Sequence, residues 1–237
     1  MNFQHFPSSG RGLKDIGWLQ SNFFFSFSEY RNPMRSAFGT LLAFNDDFVA
    51  AGKGFGLHPH ANMEIISVML NGSMNHKDSM GYTNVVHEDW VQIMSAGTGL
   101  RHEEYNVGDD TVNFLQIWIQ PKLQNVTPRY QYRHFPRAER RNRLVTIVSP
   151  EEGAGHCWIN QNTRISLGLF DAGGATEYRF NPENKCLFLF VMSGAIDVAG
   201  QALPARDAIG IWDTGEIRIT AKGEAEFLLI ETPINQK

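Results

Sequence analysis

Five of the eight histidines in this chain, His58, His60, His76, His87 and His102, fall between positions 58 and 102, a crowding that even scattering would not produce. In His58-Pro59-His60 two imidazoles stand two residues apart, and on an extended strand such residues project from the same face. His102 and Glu104 repeat that spacing, while Glu103 between them must point the other way. Three neutral imidazoles and one carboxylate suit a divalent transition metal such as Fe, Ni, Mn or Cu and leave room for exchangeable ligands. Around a divalent ion the four groups keep a net charge of about +1, which favours an anion such as a deprotonated enol or phenol.

Other residues carry less. His76 and Asp78 lie beside a glycine turn and are expected to face solvent, as is His87 in the polar stretch 85–90. Met63, Met94, Phe55, Gln116 and Trp118 would suit the wall of an aromatic pocket, but apolar residues at alternating strand positions are expected to be core. Two cysteines, Cys157 and Cys186, are too few for a disulfide scaffold and read as inert small hydrophobes. Together with an N-terminal stretch that lacks the charged, apolar and cleavage regions of a secretion signal, they imply a reducing cytoplasm.

The elements that must hold these residues are short strands. Segments 23–30 (FFFSFSEY), 64–70 (EIISVML), 90–94 (WVQIM), 112–120 (VNFLQIWIQ), 144–148 (LVTIV) and 227–231 (FLLIE) are rich in β-branched and aromatic residues. No long helical period intervenes, so the chain reads as all-β, with strands spaced as in sandwiches or barrels. Asn71-Gly72 predicts a hairpin turn between 64–70 and 73–77. A polar segment with three prolines, 121–136, reads as a linker, and the charged run 137–143 (RAERRNR) behind it as solvated surface. Beyond it, 188–213 repeats the strand and glycine-turn pattern of 68–94. Two barrels of related design are therefore expected, residues 1–125 and 126–237, with the linker at their junction.

Composition narrows the partners. Lys and Arg number 21 against 25 Asp and Glu, a net charge of −4 without long blocks, so direct nucleic-acid binding is not expected. The longest apolar run, 186–192 (CLFLFVM), is far shorter than the roughly 18 to 20 residues of a membrane helix and predicts a buried strand.

The motifs resemble a known family. Gly52-x5-His58-x-His60-x3-Glu64 followed by Gly72 is similar to the first cupin motif with one extra residue before the last glycine, and Gly99-x2-His102-x3-Asn106 to the end of the second. HPHANMEII, GSMNHKDSMG, QIMSAGTGLRHEEYN and QIWIQP, with GWLQSNFFFSFSEY ahead of them, resemble the pirins, above all the bacterial pirin-like quercetin dioxygenases. The likeness is dense over 15–136 and weak beyond. It implies a bicupin, two antiparallel β-barrels of jelly-roll type, with one non-haem metal in the first. The ion implied is Fe(II), with Ni, Mn, Cu or Zn as alternatives, and its implied ligands are His58, His60, His102 and Glu104. Many other cupins use the first-motif carboxylate, here Glu64, as a ligand; the resemblance makes Glu64 a partner of an imidazole N–H or a strand residue bonded elsewhere. The second barrel has no His-x-His and reads as metal-free.

The activity implied is cleavage of a flavonol such as quercetin by O2 with release of CO, with Glu104 both ligand and base and a small aromatic substrate. Two readings stand beside it: a regulator whose iron oxidation state alters a protein partner's binding without turnover, and an oxygenase for another small enol or phenol. A monomer is expected, because two barrels in one chain supply the pairing that single cupins obtain by dimerising.

Overall fold

The computed structural model describes residues 1–234 and is built of strands, with three short 3-10 turns and no α-helix among the described residues. No helix among them is long and apolar enough to cross a membrane. The first half contributes β1 (Asn2–Phe6), β2 (Gly12–Asp15), β3 (Leu19–Phe23), β4 (Leu41–Val49), β5 (Gly54–His60), β6 (Glu64–Asn71), β7 (Ser73–Asp78), β8 (Thr83–His87), β9 (Trp90–Ser95), β10 (Leu100–Asn106) and β11 (Val112–Ile119). Then follow β12 (Arg129–His134), β13 (Leu144–Ser149), β14 (Cys157–Trp158), β15 (Arg164–Phe170), β16 (Ala175–Arg179) and β17 (Cys186–Ser193). The chain closes with β18 (Ala195–Val198), β19 (Gln201–Pro204), β20 (Ala208–Trp212), β21 (Glu216–Ala221) and β22 (Ala225–Thr232).

Each half is a large sheet closed by a small one. The first pairs β12-β9-β6-β11-β4-β3-β2 with β5-β10-β7-β8; the second pairs β1-β20-β17-β22-β15-β13-β14 with β16-β21-β18-β19. The two orders correspond strand for strand over most of their length, so the repeat between 68–94 and 188–213 becomes β6 to β9 against β17 to β20. Two strands cross the expected division at 125/126. β1 lies on the edge of the second half's sheet through β20, and β12, from the linker, lies on the edge of the first half's through β9. Each exchange covers a sheet edge that would otherwise present unpaired backbone.

Three local expectations are corrected. Asn71-Gly72 is no hairpin: β6 pairs with β9 and β11, and β7 with β8 and β10. Gly72, at φ 76°, instead turns the chain from the large sheet into the small one, and Gly194 makes the same corner in the second half at φ 73°. The run 23–30 is strand only to Phe23; Phe24 and Phe25 leave the sheet to fill the space between the halves, fully buried. In the charged run, Arg140 is buried and pairs with Asp89 and Glu226, and Arg137 reaches Glu226 at 2.7 Å.

The shared core explains why β6 and β17 are buried on both faces rather than alternating. One face lines a barrel and the other packs against the opposite half. Phe188 sits at the centre of this joint, with the rings of Phe6, Phe24, Phe25, Phe38 and Phe44 at centroid distances of 5.1 to 6.1 Å. Truncating it, Phe188→Ala, should cost about 3–5 kcal/mol of unfolding free energy in urea titration. A loss under about 1 kcal/mol would mean the halves do not share a core.

Candidate metal centre

The chemistry-bearing residues meet on the inner face of the small sheet of the first half. β5 and β10 run antiparallel, with His58 opposite His102 and His60 opposite Leu100. The three imidazoles converge, with ring centroids 4.9 Å apart for His58 and His60, 4.3 Å for His58 and His102, and 5.0 Å for His60 and His102. One nitrogen from each lies within 4.8 Å of the others. On β10 burial alternates as parity requires, so His102 and Glu104 point inward and Glu103 outward. A register shift between His102 and Glu104 presses β5 onto β10, and Gly54 permits it: a Cβ there would lie 2.1 Å from the Glu104 carbonyl oxygen.

β7 adds two residues that sequence reasoning sent to solvent. Asp78 stands opposite His102 and His76 opposite Glu104, both buried. His76 donates through Nε2 to Asp78 Oδ2 at 3.0 Å, while Asp78 Oδ1 accepts the backbone N–H groups of Met80 and Tyr82 at 2.9 and 3.1 Å. His76, His102 and Glu104 form a second trio of donor atoms within 4.8 Å of one another, sharing His102 with the first. The signal available in the sequence is His76-Lys77-Asp78, a same-face pair like the other two; a place beside a glycine turn suggests solvent, but this barrel is polar inside. His87 is exposed, 2.8 Å from Ser73 Oγ, and outside the cluster.

The wall opposite, from the large sheet, comes in tiers set by register. Nearest the imidazoles are Met94, Ile65, Trp118 and Tyr130, with Leu100 and Met63 beside them. Trp118 stands edge-on to His60 at 5.1 Å and to Phe27 at 5.0 Å. The next tier is polar, with Gln92, Ser67, Gln116 and Asn45 in register across four strands and Asp47 beyond. Gln92 Nε2 donates to Glu104 Oε1 at 2.7 Å, which ties the two sheets together at the site. Below lies apolar packing around Met69, Met74, Val86 and Phe114, to which Phe55 belongs. In the second half the equivalent small sheet turns Ile196, Val198, Ile217 and Ile219 inward, hydrocarbon in place of histidine and glutamate.

Glu64 shares the parity of His58 and His60 in sequence but not their place in the fold. Asn62, at φ 49°, breaks the strand, and Glu64 begins β6 in the other sheet. There it is fully buried, and its Oε2 accepts from Ser95 Oγ at 2.6 Å and from the backbone N–H of Asn160, in the second half, at 3.2 Å. It acts across the joint between the halves.

The electrostatics favour the ligand-ready form of the imidazoles. Burial, reinforced by the neighbouring rings, lowers His60 to about 4 and His102 to about 2, so both are neutral at physiological pH. His58 donates Nδ1–H to the Gly56 carbonyl at 2.7 Å, leaving Nε2 free. Both ring nitrogens of His102 are buried without any hydrogen-bond partner. A divalent ion fits this donor set, because it would take the lone pair of a ring nitrogen that the protein leaves unpaired.

Burial pushes Glu104 up to about 7 in the metal-free protein. The carboxyl must lose its proton to bind a cation, so Ni(II) affinity should rise roughly tenfold per pH unit up to about pH 7 and level off above, by calorimetry between pH 6 and 8. A flat profile would refute it. Metal-free stability follows the same shifts: the Glu104 contribution is present below its ordinary 4.5 and lost as pH rises through about 7. That of His60 is present above 6.5 and lost as pH falls through about 4.

Comparison with known proteins gives concordant results. Residues 6–119 match the family model described as Pirin, and 146–232 that of a quercetinase C-terminal cupin domain. A pirin-like protein of Caulobacter vibrioides is 36% identical over 226 residues, covering 95% of this chain and 97% of the relative. A quercetin 2,3-dioxygenase of Escherichia coli K12 is 35% identical over 224 residues, 94% and 95% of the two chains. Among solved structures, YhhW of Escherichia coli superposes with a TM-score of 0.94 at 33% identity over all of both chains. The same bacterial pirin in complex with nickel(II) gives 0.93 at 33% identity, over 98% of this chain and 100% of that one.

Proposed function

The chain belongs to the pirin family, and from that premise we propose that it is a metal-dependent dioxygenase that opens a flavonol such as quercetin with O2 and releases CO. The observation that carries the reading is His102, buried between His58 and His60 with both ring nitrogens unpartnered. Relatives named quercetin 2,3-dioxygenase and the nickel(II) complex of an Escherichia coli pirin support it.

His58, His60, His102 and Glu104 would hold a divalent ion, Fe(II) in this reading with Ni, Mn, Cu or Zn as other occupants, and the ion would supply a Lewis acid that lowers the pKa of a flavonol hydroxyl. The protein's residues do the rest. Burial keeps His60 and His102 neutral, so neither has a proton to give up on binding a cation, while burial raises Glu104 to about 7 and suits it to exchange a proton near neutral pH. Glu104 takes the proton of the flavonol 3-hydroxyl, and Trp118, edge-on to His60 and flanked in turn by Phe27, offers an aromatic wall to a flat substrate.

Anaerobic purification and metal analysis, followed by O2 consumption and CO release with quercetin, test the proposal against His60→Ala. Metal-dependent turnover absent from the variant is the expected result. Stoichiometric metal without O2 consumption on any flavonol would overturn it and favour a redox-sensing binding role.

A further inference from the structure

Glu104 has two carboxylate oxygens, and the barrel uses one of them. Oε1 accepts from Gln92 Nε2 at 2.7 Å, and at the far end of the same amide Gln92 Oε1 accepts from the Tyr130 hydroxyl at 2.8 Å. The order fixes the amide's orientation, since a flipped Gln92 would set its carbonyl against the carboxylate. Ser67 Oγ, 3.3 Å from Gln92 Nε2, supports the same placement. All three side chains in the relay are buried. Tyr130 does more than end it: its ring lies flat on His76, with centroids 4.1 Å apart and planes 8° from parallel. Tyr130 comes from β12, the linker strand that pairs with the first barrel's sheet at β9.

We propose that Gln92 and Tyr130 are positioning residues of the metal centre, holding Oε1 of Glu104 away from the ion so that Oε2 alone is presented to the imidazoles. The inference rests on Glu104 being a ligand. Its physical basis is that a hydrogen bond to the carboxylate restricts its rotation and stabilises its charged form. The linker strand is thereby part of the site, with Tyr130 steadying Glu104 through Gln92 and His76 through stacking.

Calorimetric titration of the metal-stripped full-length protein with Ni(II) tests this without turnover. Gln92→Leu should weaken binding about 10- to 100-fold, the usual effect of removing a partner that orients a ligand. Tyr130→Phe keeps the ring on His76 and should weaken it about 3- to 10-fold, the scale of one lost hydrogen bond. In the Gln92→Leu background the same Tyr130→Phe change should do nothing more, because the hydroxyl acts through the amide; additive effects would overturn the relay. If Gln92→Leu fails to fold, Tyr130→Phe decides alone, and wild-type affinity there refutes the proposal. Glu104→Gln separates the two readings. Wild-type Ni(II) affinity in that variant removes Glu104 as a ligand and the inference with it. A weakened Glu104→Gln beside unaffected Gln92→Leu and Tyr130→Phe overturns only the positioning role.

Discussion

Replacing His102 by leucine should all but remove metal binding while leaving the metal-free protein at least as stable as the wild type. Both nitrogens of this ring are buried and unpartnered, and a buried polar group without a partner costs about 1–3 kcal/mol. Leucine fills a similar volume and carries no such penalty. Loss of the ligand shared by both donor trios should lower Ni(II) affinity by at least about a hundredfold and take flavonol turnover to background. Metal analysis and urea unfolding of the stripped proteins measure the two effects. A metal-free variant clearly less stable than its parent would show that His102 serves packing, and the assignment of the site would fall.

Glu104→Gln should separate chemistry from binding. The change removes the base, and loss of a positioned general base typically costs about 10²–10⁴-fold in rate, so kcat for O2 uptake should fall by that order while KM moves little. Three histidines remain, and the variant should hold metal, though more weakly. Unchanged kcat in a metal-loaded variant would end the base role. Glu64→Gln is the matched comparison: its partners are Ser95 and the Asn160 backbone, so metal content and turnover should persist while stability drops. A Glu64→Gln protein empty of metal would reverse the ligand assignment.

What was legible beforehand is what a local period can carry. Alternation along a strand is set by backbone geometry, so His58 with His60 and His102 with Glu104 could be placed on common faces from spacing alone, and the structure brings all four side chains to one sheet. The all-β class was equally open, because short β-branched and aromatic runs have few other uses. Seven consecutive apolar residues at 186–192 likewise marked a strand buried on both sides.

Spacing does not say what lies across from a face. His76 and Asp78 obey the same alternation as the four proposed ligands, yet whether such a face meets water or a polar barrel interior depends on the sheet that closes over it. Asn71-Gly72 has hairpin residues and makes a corner instead, because β6 and β7 find partners far away in sequence. Arg140 sits in a run that looks solvated until Asp89 and Glu226 fold around it.

The sequence by itself thus determined the strand class, the barrel-forming rhythm and the inward donors of the first barrel, all consequences of residue type and a two-residue period. Tertiary structure alone decided that linker strand β12 would place Tyr130 behind Gln92, that Glu64 would serve the joint between the halves, and that His76 would be buried beside Glu104. These depend on pairings between strands tens of residues apart, where burial and register are won by the competition of whole sheets rather than by any local pattern.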